Sequence, residues 1–118
     1  MKEKFQARML RVHFGESDKW NGKPLYEAIF AKCQELGVAS AIVYRGIEGY
    51  GISTRIRQSS LWKFSHDAPI MLSIIDTEEQ IARLLPHLDK MVDEGLIAMS
   101  NVEVIRYARQ EPVQSQRQ

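Results

Sequence analysis

The residues of this 118-residue chain best suited to holding a ligand lie at positions 45 to 57, Arg-Gly-Ile-Glu-Gly-Tyr-Gly-Ile-Ser-Thr-Arg-Ile-Arg. Gly46, Gly49 and Gly51 allow positive φ and let backbone N–H groups come close to an anion. Ser53, Arg55 and Arg57 add a hydroxyl and two guanidinium groups, donors that match phosphate oxygens. An equally simple alternative has the glycines shape a bend while the arginines sit in solvent. Glu16-Ser17-Asp18-Lys19-Trp20 offers a second wall. Lys19 can meet a phosphate there, and Trp20 either stacks on a base or anchors a surface loop.

The other reactive side chains point away from catalysis. Glu16, Asp18, His66 and Asp67 are the acid and base candidates near loops, and no nucleophile-base spacing joins them. The chain is therefore expected not to be an enzyme; the alternatives are a nucleotide-hydrolysing or other small enzyme on the same fold, or a purely structural oligomeric interaction module. His13, His66 and His87 are scattered, and no Cys-x-x-Cys pair accompanies them, so no metal site is expected. Cys33 is the only cysteine and falls on an apolar helical stripe, which makes it a small core residue and rules out an internal disulfide. Sixteen basic and fifteen acidic residues spread along the chain give a net charge of +1. Such a balance provides no broad field for nucleic acid or an anionic membrane. Gly49-Tyr50-Gly51 superficially matches an RNA-binding signature, but Glu48, Ile52 and Arg55 stand where that signature needs a basic residue and stacking aromatics. No apolar stretch is long enough to span a membrane, and the start is charged, so a cytoplasmic location is expected.

These residues must be positioned by one domain, since 44% hydrophobic content over this length supports a single core. Alternation over 7 to 14 predicts strand one, with Leu10, Val12 and Phe14 on one face and Met9, Arg11 and His13 on the other. Asn21-Gly22 signals a turn, and Pro24 suits a helix start. Leu25, Ala28, Ile29, Cys33 and Leu36 then recur at helical spacing up to Gly37. Ala39 to Arg45 and Ala68 to Asp76 read as strands two and three. Thr77 with Gln80 forms a capping box, and the apolar face from Ile81 to Val92 makes helix two, bent by Pro86. Leu96 to Met99 and Val102 to Tyr107 are strand candidates with a turn at Ser100-Asn101. The expected layout is a tail at 1–6, an α+β domain of ferredoxin-like βαββαβ order at 7–107, and a flexible tail at 108–118.

Two features of this layout bear on function. A connection of more than 20 residues between strands two and three, where about 2 to 5 is common, is a mark of function or disorder. Within it, Ser59 to Phe64 alternates and extends strand three into an arm, with Trp62 and Phe64 facing a partner or the loop base. Strand three is apolar on both faces, Ile70, Leu72 and Ile74 on one and Met71 and Ile75 on the other. A half-solvated antiparallel sheet should alternate apolar and polar, so the open face is expected to be covered by further copies of the chain or by its own tail.

The run Tyr44-Arg45-Gly46-Ile47-Glu48-Gly49-Tyr50-Gly51, with Gly22 to Glu27 before it and Asp89 to Gly95 after it, resembles the domain of unknown function family 190. That family is similar in turn to the PII signalling proteins, and the resemblance spans nearly all of residues 7 to 107. It implies a homotrimer with no required cofactor and with an adenine-nucleotide ligand, AMP, ADP, ATP or a cyclic nucleotide, in clefts between subunits. It also implies that residues 46 to 66 form a signalling loop read by a partner, a membrane channel or transporter. Glu48-Gly49-Tyr50-Gly51 is similar to the Lys-Gly-Phe-Gly that opens this loop in PII proteins. By that match Gly51, Ile52 and Ser53 occupy the positions that meet nucleotide phosphates, Gly49 and Tyr50 join them as expected ligand-binding residues, and Arg106 and Arg109 resemble the basic residues that close the cleft from a neighbouring subunit. Three departures narrow the implication. Ile52 and Ser53 stand where PII proteins carry an arginine and a glutamine, the glutamine helping to bind 2-oxoglutarate through magnesium, and Glu94-Gly95-Leu96-Ile97 replaces a phosphate loop. No tyrosine between Ile52 and Ala68 is present to be uridylylated.

Overall fold

A computed structural model describes residues 1–52 and 67–109. Strand β1 (Lys2–Gly15) leads into a small hairpin of β2 (Lys19–Trp20) and β3 (Lys23–Pro24), followed by helix α1 (Leu25–Leu36). Strand β4 (Ser40–Arg45), strand β5 (Pro69–Asp76), helix α2 (Glu78–Met91) and strand β6 (Leu96–Tyr107) complete the order. The four long strands form one antiparallel sheet in the order β4-β5-β1-β6, which with two helices on one side is the ferredoxin-like α+β arrangement.

Local signals explain most element ends. Asn21 and Gly22 both take positive φ (50° and 82°), the two-residue turn that matches strand twist, so the Asn-Gly signal closes the β2-β3 hairpin. Pro24 becomes the residue before α1 rather than its first residue, and Gly37 ends the helix in the left-handed region at φ 75°. Thr77 caps α2 by accepting from the Gln80 N–H at 3.3 Å. Gln80 does not complete a capping box. Its side-chain amide donates instead to the Leu36 and Gly37 carbonyls, tying the start of α2 to the end of α1. Helix α2 continues through Pro86 to Met91. Pro86 and Ala82 are both exposed, so the carbonyl that lacks a helical donor faces water.

The sheet register sorts side chains cleanly. Leu10, Val12 and Phe14 on β1 stand beside Ile74, Leu72 and Ile70 on β5, all buried under the helices. Leu25, Ile29 and Cys33 of α1 and Ile81, Leu84, Leu88 and Met91 of α2 close over them. The opposite face carries Met9, Arg11 and His13 beside Ile75, Ser73 and Met71, with Ile42, Tyr44 and Leu96 exposed around them. No described helix is long and apolar enough to cross a membrane.

The two sheet-edge readings differ from expectation. Strand β1 starts at Lys2, not after a tail at 1–6, and β6 runs without the turn expected at Ser100-Asn101. Lys2 to Ala7 pair only with Val102 to Tyr107, making a two-stranded ribbon beyond the end of β5. Charges and small polar residues there mask the alternation that marks a strand. Backbone pairing holds it, helped by Lys4–Glu103 and Arg106–Glu3 contacts, each at 3.9 Å. The Ser59–Phe64 arm and the 110–118 part of the C-terminal tail lie outside the described residues.

Candidate functional site at the loop base

The chain leaves β4 at Arg45 and re-enters the sheet at Pro69, and the two ends of the connection touch. Gly46 donates its N–H to the Pro69 carbonyl at 2.7 Å. A Cβ on Gly46 would fall 2.9 Å from Pro69 Cγ, so the close approach requires glycine there. Gly51 has φ +91° in open space, a backbone conformation rather than a packing requirement. Two of the three glycines, Gly46 and Gly51, thus have a shape-forming role, and because the Gly46 N–H is engaged by Pro69, it is Gly49 and Gly51 whose N–H groups can meet an anion.

Between these ends and the open sheet face lies a cavity of about 250 Å³. Gly49 and Tyr50 line it on the exit side, Pro69 and Met71 on the return side, and His13 and Tyr44 from the sheet. Tyr50 is 82% exposed, a ring with little of its own chain to pack against. His13 is held below the usual imidazole range, first by burial and then by the Arg11 guanidinium, so it is neutral at pH 7. A neutral imidazole offers one donor and one acceptor to a ligand. His13 was expected only as a sheet-face residue. Its place at the site follows from strand register, since it sits opposite Met71, next to the loop.

The other predicted residues fall elsewhere. Lys19 lines a separate cavity of about 330 Å³ with Ser17, Asp18, Asp93 and Glu94. Arg106 lies on the ribbon, its guanidinium 5.4 Å from the centre of the Phe5 ring and paired with Glu3. Glu3 is ten residues before His13 on the same strand, a separation of about 33 Å. Arg109, just past β6, is exposed at that far end. A single chain therefore does not bring Gly49, Tyr50 and Gly51 together with Arg106 and Arg109. Ser53 and Arg55 lie outside the described residues.

Among the described residues no cluster of three or more His, Cys, Asp or Glu side chains could hold a metal. Burial pushes the Cys33 thiol up to about 11, so it is a protonated core group and no nucleophile.

Comparison with known proteins agrees with this architecture. The family profile DUF190, described as Uncharacterized ACR, matches residues 7–104. A UPF0166 protein of Aquifex aeolicus (strain VF5) is 37% identical over 100 residues, covering 85% of this chain and 94% of the relative. Another, from Methanocaldococcus jannaschii, is 30% identical over 102 residues, covering 86% and 94%. Among solved structures, CPII from Thiomonas intermedia K12 bound to ADP, AMP and acetate superposes with a TM-score of 0.63 at 16% identity, covering 86% of this chain and 91% of that one. The apo form of CPII, a nitrogen regulatory PII-like protein, gives 0.59 at 16% identity, covering 91% and 100%. At these identities the shared property is the fold.

Proposed function

The chain belongs to the DUF190 family, and on that footing we propose that it is a PII-like regulator that binds an adenine nucleotide between copies of itself. The carrying observation is the division of the site. The loop base offers a cavity with glycine N–H groups and a neutral histidine, while the basic residues Arg106 and Arg109 sit at the other end of β1. The two halves meet only if one copy presents its ribbon to the loop base of another. The partly apolar open face, with Ile42 and Tyr44 about half exposed, gives those copies a surface to share. A homotrimer satisfies this division three times over. CPII, of the same fold, is bound to ADP and AMP, which supports the ligand class.

In this reading Gly49, Tyr50 and Gly51 contact the nucleotide, Ser53 and Arg55 follow them into the loop, and Arg106 and Arg109 of a second copy close the cleft. A ligand that touches the loop base in one conformation favours that conformation, and a partner reads which one is populated. A membrane channel or transporter facing the cytoplasm is the partner class this suits.

A thermal-shift series with AMP, ADP, ATP, a cyclic nucleotide and bicarbonate tests the proposal. A ligand bound only by the folded form must raise the midpoint, by RT ln(1 + [L]/Kd) in free energy. At least one nucleotide is expected to do so. Arg106→Ala should raise the Kd behind that shift about tenfold, the worth of one charge-assisted bond, without altering the light-scattering mass. A midpoint unmoved by every nucleotide would end the nucleotide reading.

A further inference from the structure

Glu16 stands where both ends of the long connection meet the body of the protein. One carboxylate oxygen, Oε1, accepts from Arg45 Nε at 3.1 Å and from the Ala68 N–H at 3.3 Å. Arg45 is the last residue of β4, and Ala68 immediately precedes β5. The same short turn grips the return end twice more. The Glu16 N–H donates to the Ala68 carbonyl at 2.8 Å, and Ser17 donates its N–H and hydroxyl to Asp67 Oδ1 at 3.0 and 2.8 Å.

The β4-β5 ladder ends at the Arg45–Ile70 pair, and past it the Gly46–Pro69 bond joins the two ends directly. A second tie comes from outside the sheet, from Glu16. Its side chain is only 24% exposed, which strengthens charge-assisted bonds, whereas Arg45 is 53% exposed. An ion pair with so open a partner contributes little to global stability. Its effect is therefore local, on the geometry between Gly46 and Pro69, which both line the cavity at the loop base.

We infer that Glu16 is a positioning residue: through Arg45 and Ala68 it fixes how far apart the two ends of the loop stand, and so the shape of the cavity beside His13. Its consequence for ligand affinity rests on the nucleotide reading above. The clasp itself does not.

The full chain tests both parts, using Glu16→Ala, Glu16→Gln and Glu16→Ala with Arg45→Ala. Amide hydrogen exchange read by NMR should show Gly46 and Ala68 exchanging about tenfold faster in Glu16→Ala, the loss of charge-assisted bonds, while Leu72 and Val12 keep their wild-type rates. Glu16→Gln should restore most of the protection, because its amide oxygen still accepts both bonds. The double variant should add little, since both changes break one contact. ADP affinity, measured by calorimetry, should fall about tenfold in Glu16→Ala at unchanged oligomeric mass. Unchanged exchange at Gly46 and Ala68 overturns the clasp, and faster exchange with unchanged ADP affinity overturns its positioning role. If wild-type chain binds no ADP, the nucleotide reading fails while the exchange rates still decide whether Glu16 fixes the loop ends.

Discussion

The two faces of the sheet are built to different rules although the same strands supply both. Under the helices, Leu10, Val12, Phe14, Ile70, Leu72 and Ile74 are all at most 2% exposed, and each is apolar. On the open face, Arg11, His13 and Ser73 interrupt Met9, Met71 and Ile75, and none of these six is fully buried. One face is closed by the chain's own helices. The other is left mixed and half covered, and the candidate ligand cavity opens on it. Folding free energy is therefore concentrated on one side of a single sheet, and the freedom to bind on the other.

The largest effect expected from breaking this contrast is on the closed face. Leu72→Ala removes a fully buried side chain from the strand next to the sheet centre and leaves a cavity, at a cost of about 2–5 kcal/mol in denaturant unfolding. Ile75→Lys, three residues on, faces the other way. It should cost the single chain under about 1 kcal/mol, since Ile75 is not buried by the chain's own helices, yet lower the light-scattering mass to that of one chain. A retained oligomer would show that the open face is not where copies meet. Equal stability losses from the two substitutions would erase the distinction between the faces.

The same contrast explains what could be read from the sequence. The closed face was legible because burial by a helix demands apolar residues at every second position of β1 and β5, and because Gly37 and Thr77 end or start helices by local geometry alone. In the ribbon only Val102–Tyr107 was legible; Lys2–Gln6 was not, because its backbone pairing with Glu103–Tyr107 imposes no apolar pattern on residues solvated on both sides. Gln80 fitted a capping box by spacing, but a carbonyl pair at the end of α1 gave its amide better acceptors. At the site, the glycine run was visible as a run. That Gly46 must be glycine because Pro69 crosses it was not, since the two are separated by the whole connection. Glu16 and Asp67 stood out only as loop carboxylates. Their role as acceptors for the opposite stem depends on which loops the sheet order brings together.

The smallest expected effect is also the one that measures how far the open face is covered. His13 has its pKa lowered by burial and by Arg11. Below the ordinary value of 6.5 the unfolded chain takes up this proton before the folded one does, so stability contributed by neutral His13 is full above that value. It is lost as pH falls through 6.5 towards the folded pKa. Thermal midpoints of wild type should therefore fall more steeply between pH 7.5 and 5.5 than those of His13→Gln. Matching slopes would mean that His13 meets water freely. If further copies cover the face, they desolvate His13 more deeply, and the difference in slope must be larger in the assembled protein than against an Ile75→Lys background. The pH response of one half-buried imidazole thus reports whether the face that the chain leaves open is open in solution.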